Sequence, residues 1–257
     1  RGFYRPGEVV EGTVTAQYTF GEPVDGGLVS VVASEFISSW KPFAKVEGKT
    51  TGRGRYDFSL PMKEAFAGVD VKKGNAVVAL DVTVTDKTGH SRTSRQELII
   101  ASQPLIVEVF PEGGELIQRV ENTVYIMTVY PDGRPARSNL VLNDGMTLKT
   151  SEAGIAKVKL TPKSSEFSLT IVATDQLGSE VTVSPTLIVD KRLSSILLTT
   201  DRPTYQTGES VHFTLLSPQS AGRVFLDIIQ EGRTALTKSI TLEKGRGEYS
   251  YDIPSDL

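Results

Sequence analysis

Apolar and polar side chains alternate along most of this chain. In Tyr56-Asp57-Phe58-Ser59-Leu60 every second residue is apolar, the period of a strand half buried against a core, so Tyr56, Phe58 and Leu60 are expected on one face. Residues 123–129, 140–142, 169–173, 210–216 and 223–229 are rich in β-branched, aromatic and other apolar side chains, with Gly, Pro, Asn and Asp close by. They read as strands. Further strands are expected at 76–86, 96–101 and 196–200. No 3.6-residue periodicity lasts beyond about two turns. The best helical candidate is the short stretch 61–66, which Gly68 would end. An all-β class follows.

Four pairs of segments repeat, and repeats set architecture before any single residue is argued. Tyr4-Arg5-Pro6-Gly7-Glu8 returns as Tyr205-Gln206-Thr207-Gly208-Glu209, and each runs into a strand. Gly52-Arg53-Gly54-Arg55-Tyr56 returns as Gly245-Arg246-Gly247-Glu248-Tyr249, with a weaker copy from Gly154 through Val158 and Leu160. Thr85-Asp86-Lys87-Thr88-Gly89 matches Thr174-Asp175-Gln176-Leu177-Gly178, a turn in which Asp bonds nearby amides and Gly takes positive φ. Tyr18-Thr19-Phe20-Gly21-Glu22-Pro23 matches Tyr130-Pro131-Asp132-Gly133-Arg134-Pro135, a strand closing into a Gly-x-Pro turn. Laid end to end, the repeats predict tandem immunoglobulin-like antiparallel β-sandwiches at 1–102, 103–191 and 192–257. The first two have the roughly 100-residue size of such a module. The third is expected to be incomplete at its C-terminus, because strands follow Pro61 in the first unit that have no counterpart after Pro254.

Composition narrows the chemistry. The 257 residues include no cysteine, so disulfides, thiolate metal sites and cysteine nucleophiles are excluded within them. A net charge of −3 supplies no basic field for phosphates, which disfavours nucleic acid and anionic membrane surfaces as partners. No run approaches the about 18 apolar residues of a membrane span. The chain opens at Arg1, without a signal peptide or lipidation motif, as expected of a processed or excised piece. His90 and His212 are the two histidines, about 120 positions apart, and both are expected to be structural or solvent-facing. Asn143-Asp144-Gly145 and Pro131-Asp132-Gly133 read as Asx turns rather than calcium loops, since the Asp-x-Asp-x-Asp-Gly spacing is missing. Lys41, Lys45, Lys49, Arg53 and Arg55 with Trp40 and Phe43 form a basic and aromatic cluster. It reads as a long hairpin with Trp40 covering a sandwich edge, or as a docking surface. No catalytic residue, metal ligand or cofactor-binding residue is assigned, and no cofactor is expected.

The motifs resemble those of the alpha-2-macroglobulin family. Thr200-Asp201-Arg202-Pro203-Thr204-Tyr205-Gln206-Thr207-Gly208-Glu209-Ser210-Val211 is similar to the family's Thr-Asp-Lys-Pro-x-Tyr-x-Pro-Gly-Glu-x-Val opening, with Arg202 for Lys and Thr207 for Pro. Residues 14–24 resemble the third macroglobulin-like domain and 130–135 the fourth, which makes the last unit the fifth. The resemblance implies scaffold domains of a protease-trapping inhibitor and no enzyme activity. Neighbouring macroglobulin-like domains would be direct partners, and target proteases would be partners of the full-length protein. Family members carry a bait segment, and many an internal thioester built on cysteine; neither maps onto these residues. The lack of cysteine fits a bacterial member, placed outside the cytoplasm: in the periplasm with a lipid-anchored parent, or secreted. The competing reading is a repeat segment of a bacterial adhesin or receptor stalk. Divergence between the units argues against that.

Overall fold

A computed structural model describes residues 2–66 and 75–254. Two compact units divide the chain: Arg1–Ile106 with Val129–Ala136 and Asp175–Val181, and Val107–Thr128 with Arg137–Thr174 and Thr182–Leu257. Every regular element among the described residues is a β-strand.

In the first unit, β1 (Val9–Thr15), β2 (Leu28–Phe36), β3 (Trp40–Lys49), β4 (Arg55–Pro61), β5 (Asn75–Thr85) and β6 (Ser91–Ala101) make two sheets. One pairs β1 with β4; the other runs β3-β2-β5-β6. Val10, Val14 and Leu60 from the first sheet meet Val31, Val78, Leu80 and Ile100 from the second in one buried core, with Tyr56 and Phe58 packed against it. This is a two-layer sandwich. Tyr56, Phe58 and Leu60 share a face as their spacing predicts.

The stretch 61–66 is not helical. Pro61 closes β4, and Met62 donates its amide to the Glu8 carbonyl at 2.9 Å while its side chain and that of Phe66 drop into the core. Apolar residues descending from a loop mimic one helical turn in spacing. Gly68 lies outside the described residues.

Ten further strands follow: β7 (Ile106–Pro111), β8 (Leu116–Ile117), β9 (Asn122–Val129), β10 (Ser138–Leu142), β11 (Thr147–Lys149), β12 (Ile155–Leu160), β13 (Glu166–Ser168), β14 (Ile171–Asp175), β15 (Glu180–Val183) and β16 (Thr186–Asp190). They form sheets β12-β9-β7, β11-β10-β14-β15 and β13-β16-β8. Burial alternates strictly along β9, β10 and β12, so each turns one face to a core. The short β16–β8 pairing is parallel.

The last five, β17 (Leu197–Thr200), β18 (Ser210–Leu216), β19 (Ala221–Gln230), β20 (Arg233–Glu243) and β21 (Arg246–Asp252), make one antiparallel sheet ordered β17-β18-β21-β20-β19. Register puts Phe213, Leu215, Val224, Leu226, Ile240, Leu242 and Tyr249 on a single apolar face. On the opposite face Leu197 and Leu216 pack against Ile117 and Val120 within the second unit.

All four repeats centre on turns, and the copies share backbone hydrogen bonds. Gly7 and Gly208 both have positive φ; Glu8 and Glu209 each accept the backbone amide three residues earlier, at 3.0 and 2.8 Å. The glycine-headed strands need one correction. Gly54, Gly154 and Gly245, all at positive φ, each stand just before β4, β12 and β21 and accept an amide from Ala16, Thr128 and Ser217 respectively. Gly54 is therefore the counterpart of Gly245, and the sequence match that aligned Gly52 with Gly245 was two residues out of step. A two-residue slip leaves every side chain on its own face, so alternation cannot detect it.

Candidate functional site

The two remaining repeats touch each other. After β1 the chain turns through Tyr18 and Gly21, with the Tyr18 amide bonding the Glu22 carbonyl at 2.8 Å and Gly21 the Tyr18 carbonyl at 2.9 Å. The Tyr18 hydroxyl then donates to Asp86 Oδ2 at 3.2 Å, in the turn between β5 and β6. The second copy repeats this: Tyr130 reaches Asp175 Oδ2 at 3.3 Å. In both, the aspartate also accepts two amides of its own turn, Thr88 and His90 for Asp86 and Leu177 and Ser179 for Asp175. Such Asx geometry holds a tight turn without help from afar. The tyrosine adds a long-range tie.

Electrostatics follow from these bonds. The Thr88 hydroxyl, 2.7 Å from Oδ1, is the largest influence on Asp86, and with the amides it lowers the carboxyl from 3.8 to about 2 against the effect of burial. Burial and then the Asp86 charge push the Tyr18 hydroxyl up. A third tyrosine–aspartate pair, Tyr205 to Asp201 at 2.6 Å, holds the Asp201 carboxyl low and also receives the His212 amide.

Beside the Tyr18–Asp86 tie, a groove of about 930 Å³ opens between the end of β1 and the start of β6. Val14, Val24, Val82 and Val84 supply its apolar surface, and Arg92 and Ser94 stand on its β6 side. Nothing in the sequence marked it, because its walls come from residues some 75 positions apart.

The candidates named from sequence are scattered. His90 sits at the groove mouth with a highly exposed ring, its Nδ1 2.7 Å from Thr88 Oγ1 and 3.5 Å from Asp86 Oδ2. His212 lies in the second unit, on the polar face of β18, with Nδ1 2.7 Å from Ser250 Oγ. Asp144 and Asp132 each accept the amide two residues on, as Asx turns do. Among the described residues no three His, Asp or Glu side chains gather as a metal site would need, and no helix is long and apolar enough to cross a membrane.

The basic cluster is divided by the fold. Lys41, Lys45 and Lys49 lie on edge strand β3, with Lys45 paired to Glu47 at 2.7 Å, while Arg55 begins β4 and meets Asp57 at 3.5 Å. Trp40 meets Phe36 edge-on with centroids 5.4 Å apart, and the Arg95 guanidinium stands 5.2 Å over its ring, itself fixed by two bonds to Asp81. Trp40 covers part of the outer sheet face, and Phe36 and Ile37 stay exposed at the hairpin tip.

Fold and site together define a tandem antiparallel β-sandwich protein with an open groove beside β6. No protein-family model matches the chain, and no curated protein does. Among solved structures it is similar to trypsin-activated alpha-2-macroglobulin from Escherichia coli, at 12% identity and a TM-score of 0.36 over 99% of this chain and 23% of that one. Salmonella alpha-2-macroglobulin reacted with methylamine is similar at 12% identity and a TM-score of 0.36, over 99% and 20%. Dimeric latent PorU from Porphyromonas gingivalis is similar at 12% identity and 0.34, over 98% and 29%. The chain thus spans between about a fifth and a third of the length of these proteins.

Proposed function

We propose that this chain is a run of scaffold modules from a protease-trapping inhibitor of the alpha-2-macroglobulin type. The observation that carries this reading is the recurrence of one set of turn devices along the chain: the Tyr-x-x-Gly-Glu opening, the glycine-headed strand and the tyrosine–aspartate tie. Each is held by its own hydrogen bonds or by a glycine at positive φ, and the opening motif is the one that resembles the family. A packed connection supports a structural role. Asp190 receives the Arg192 guanidinium at 2.7 Å and the Ser195 hydroxyl at 2.6 Å in the link to β17, beyond which Leu197 packs on Ile117 and Val120.

On this reading the modules correspond to the third, fourth and fifth of the family, and the residues do no catalysis themselves. Neighbouring modules of the same polypeptide are the direct partners, target proteases are partners of the whole protein, and its setting is extracytoplasmic. The test uses the natural gene product that carries these residues, incubated with trypsin or elastase. Loss of cleavage of a large protein substrate, with cleavage of a small chromogenic peptide retained, is the expected result. Equal cleavage of both substrates would overturn the proposal.

A further inference from the structure

The groove lies along a sheet edge, that of β6. β6 pairs with β5 on one side through an unbroken register of eleven residues; on the other side, among the described residues, its bonded neighbour is Tyr4 alone, which donates to the Ile99 carbonyl and accepts from Ala101, both at 2.9 Å. In an antiparallel ladder, alternate residues turn their backbone groups to opposite sides. Since residues 99 and 101 face outward, Ser91, Thr93 and Arg95 do so too, and among the described residues they have no backbone partner on that side. All seven residues from Ser91 to Glu97 are exposed.

The opposite edge of the same sheet is blunted. β3 carries Pro42 at a register shift, three lysines, and the ring of Tyr56 laid over Gly48, where an added Cβ would come within 2.1 Å of the ring. Proline, bulges and charged side chains, lysine above all, are how edges are kept from pairing. The stretch from Ser91 to Glu97 has no proline, bulge or lysine; its charges are Arg92, Arg95, which is tied to Asp81, and Glu97. Register also places Arg92 opposite Val84 and Ser94 opposite Val82, so the guanidinium projects on the groove side of the sheet, beside the valine floor. Among the described residues, Arg92 has no carboxylate partner.

We infer that this edge and groove form a docking site for an extended segment of a partner polypeptide, added as a strand beside β6. Its backbone would bond Ser91, Thr93 and Arg95. Its apolar side chains, at alternate positions, would enter the groove over Val14, Val82 and Val84, and an acidic residue would meet Arg92. Main-chain bonds supply affinity in this mode and alternate side chains supply selectivity. The inference holds whether or not the whole protein traps proteases.

The test is titration of the labelled chain with the peptide acetyl-Val-Thr-Glu-Thr-Val-Thr-amide, whose valines and glutamate share one strand face, a lysine analogue in place of the glutamate, and an analogue with proline at the threonine after the glutamate. Slowed amide exchange at Ser91, Thr93 and Arg95, together with methyl shifts at Val82 and Val84, is expected for the first peptide and not for the proline analogue. Arg92→Glu, at an exposed position, should weaken the glutamate peptide at least tenfold and favour the lysine one, with melting unchanged. No binding, equal binding of the proline analogue, methyl shifts without edge protection, or concentration-dependent dimerisation through β6 would each overturn the assignment.

Discussion

Asp86 works as an anion, since one carboxylate receives the Thr88 hydroxyl, two amides and the Tyr18 hydroxyl. Its folded value of about 2 lies below the ordinary 3.8. A carboxyl lowered by folding contributes stability above its unfolded value, and that contribution is lost as pH falls through the folded one. The melting temperature should therefore drop between about pH 4 and pH 2, more steeply than in Asp86→Asn, which should already melt lower at neutral pH. Parallel pH profiles for the two proteins would exclude this role. Gly54 and Gly89 separate two costs that a glycine can avoid. Both have positive φ, but a Cβ on Gly54 would stand 2.3 Å from the Ala16 carbonyl, whereas Gly89 faces open space. Denaturant unfolding should show Gly54→Ala losing about 2–4 kcal/mol and Gly89→Ala about 1–2 kcal/mol.

At the scale of the strand, β3 and β4 are held together by a ring on a glycine. Tyr56 covers Gly48 and donates its hydroxyl to the Glu47 carbonyl at 3.0 Å. Gly48→Val should cost about 1–3 kcal/mol through overpacking, and most of that should vanish in a Tyr56→Ala background, as a double-mutant cycle reads directly. Additive losses would show that the two positions are independent. Long alternating strands such as β4, β9 and β18 were legible in the sequence because burial of one face imposes the period locally. So were the turns, since an Asp accepts amides two and four residues on while a Gly takes positive φ and bonds the carbonyl three residues back. The two- to four-residue strands β8, β11, β13 and β15 were not, because none is long enough to show a period, and β8 in addition pairs with a strand distant in the chain. Only half of β6 was foreseen, for Ser91 to Arg95 carries no apolar residue.

Across the whole molecule, the buried cores differ in depth. The first sandwich closes a core between two sheets, whereas the sheet from β17 to β21 leaves Phe213, Val224, Leu226 and Tyr249 only partly covered. Amides of β18 and β21 should exchange at least an order of magnitude faster than those of β2 and β5; the reverse order would contradict this account. The groove was illegible in sequence for a reason of the same scale, as it exists only where the end of β1 and the start of β6 come to face each other. Those distant strands are pinned at that corner by the bond from Tyr18 to Asp86, in a chain without a single sulfur cross-link. Reductants therefore have nothing to cut, and the fold should be indifferent to the redox state of its surroundings. Protons are the agent that can undo this tie, and only in acid below about pH 4, whereas a reductant leaves it shut.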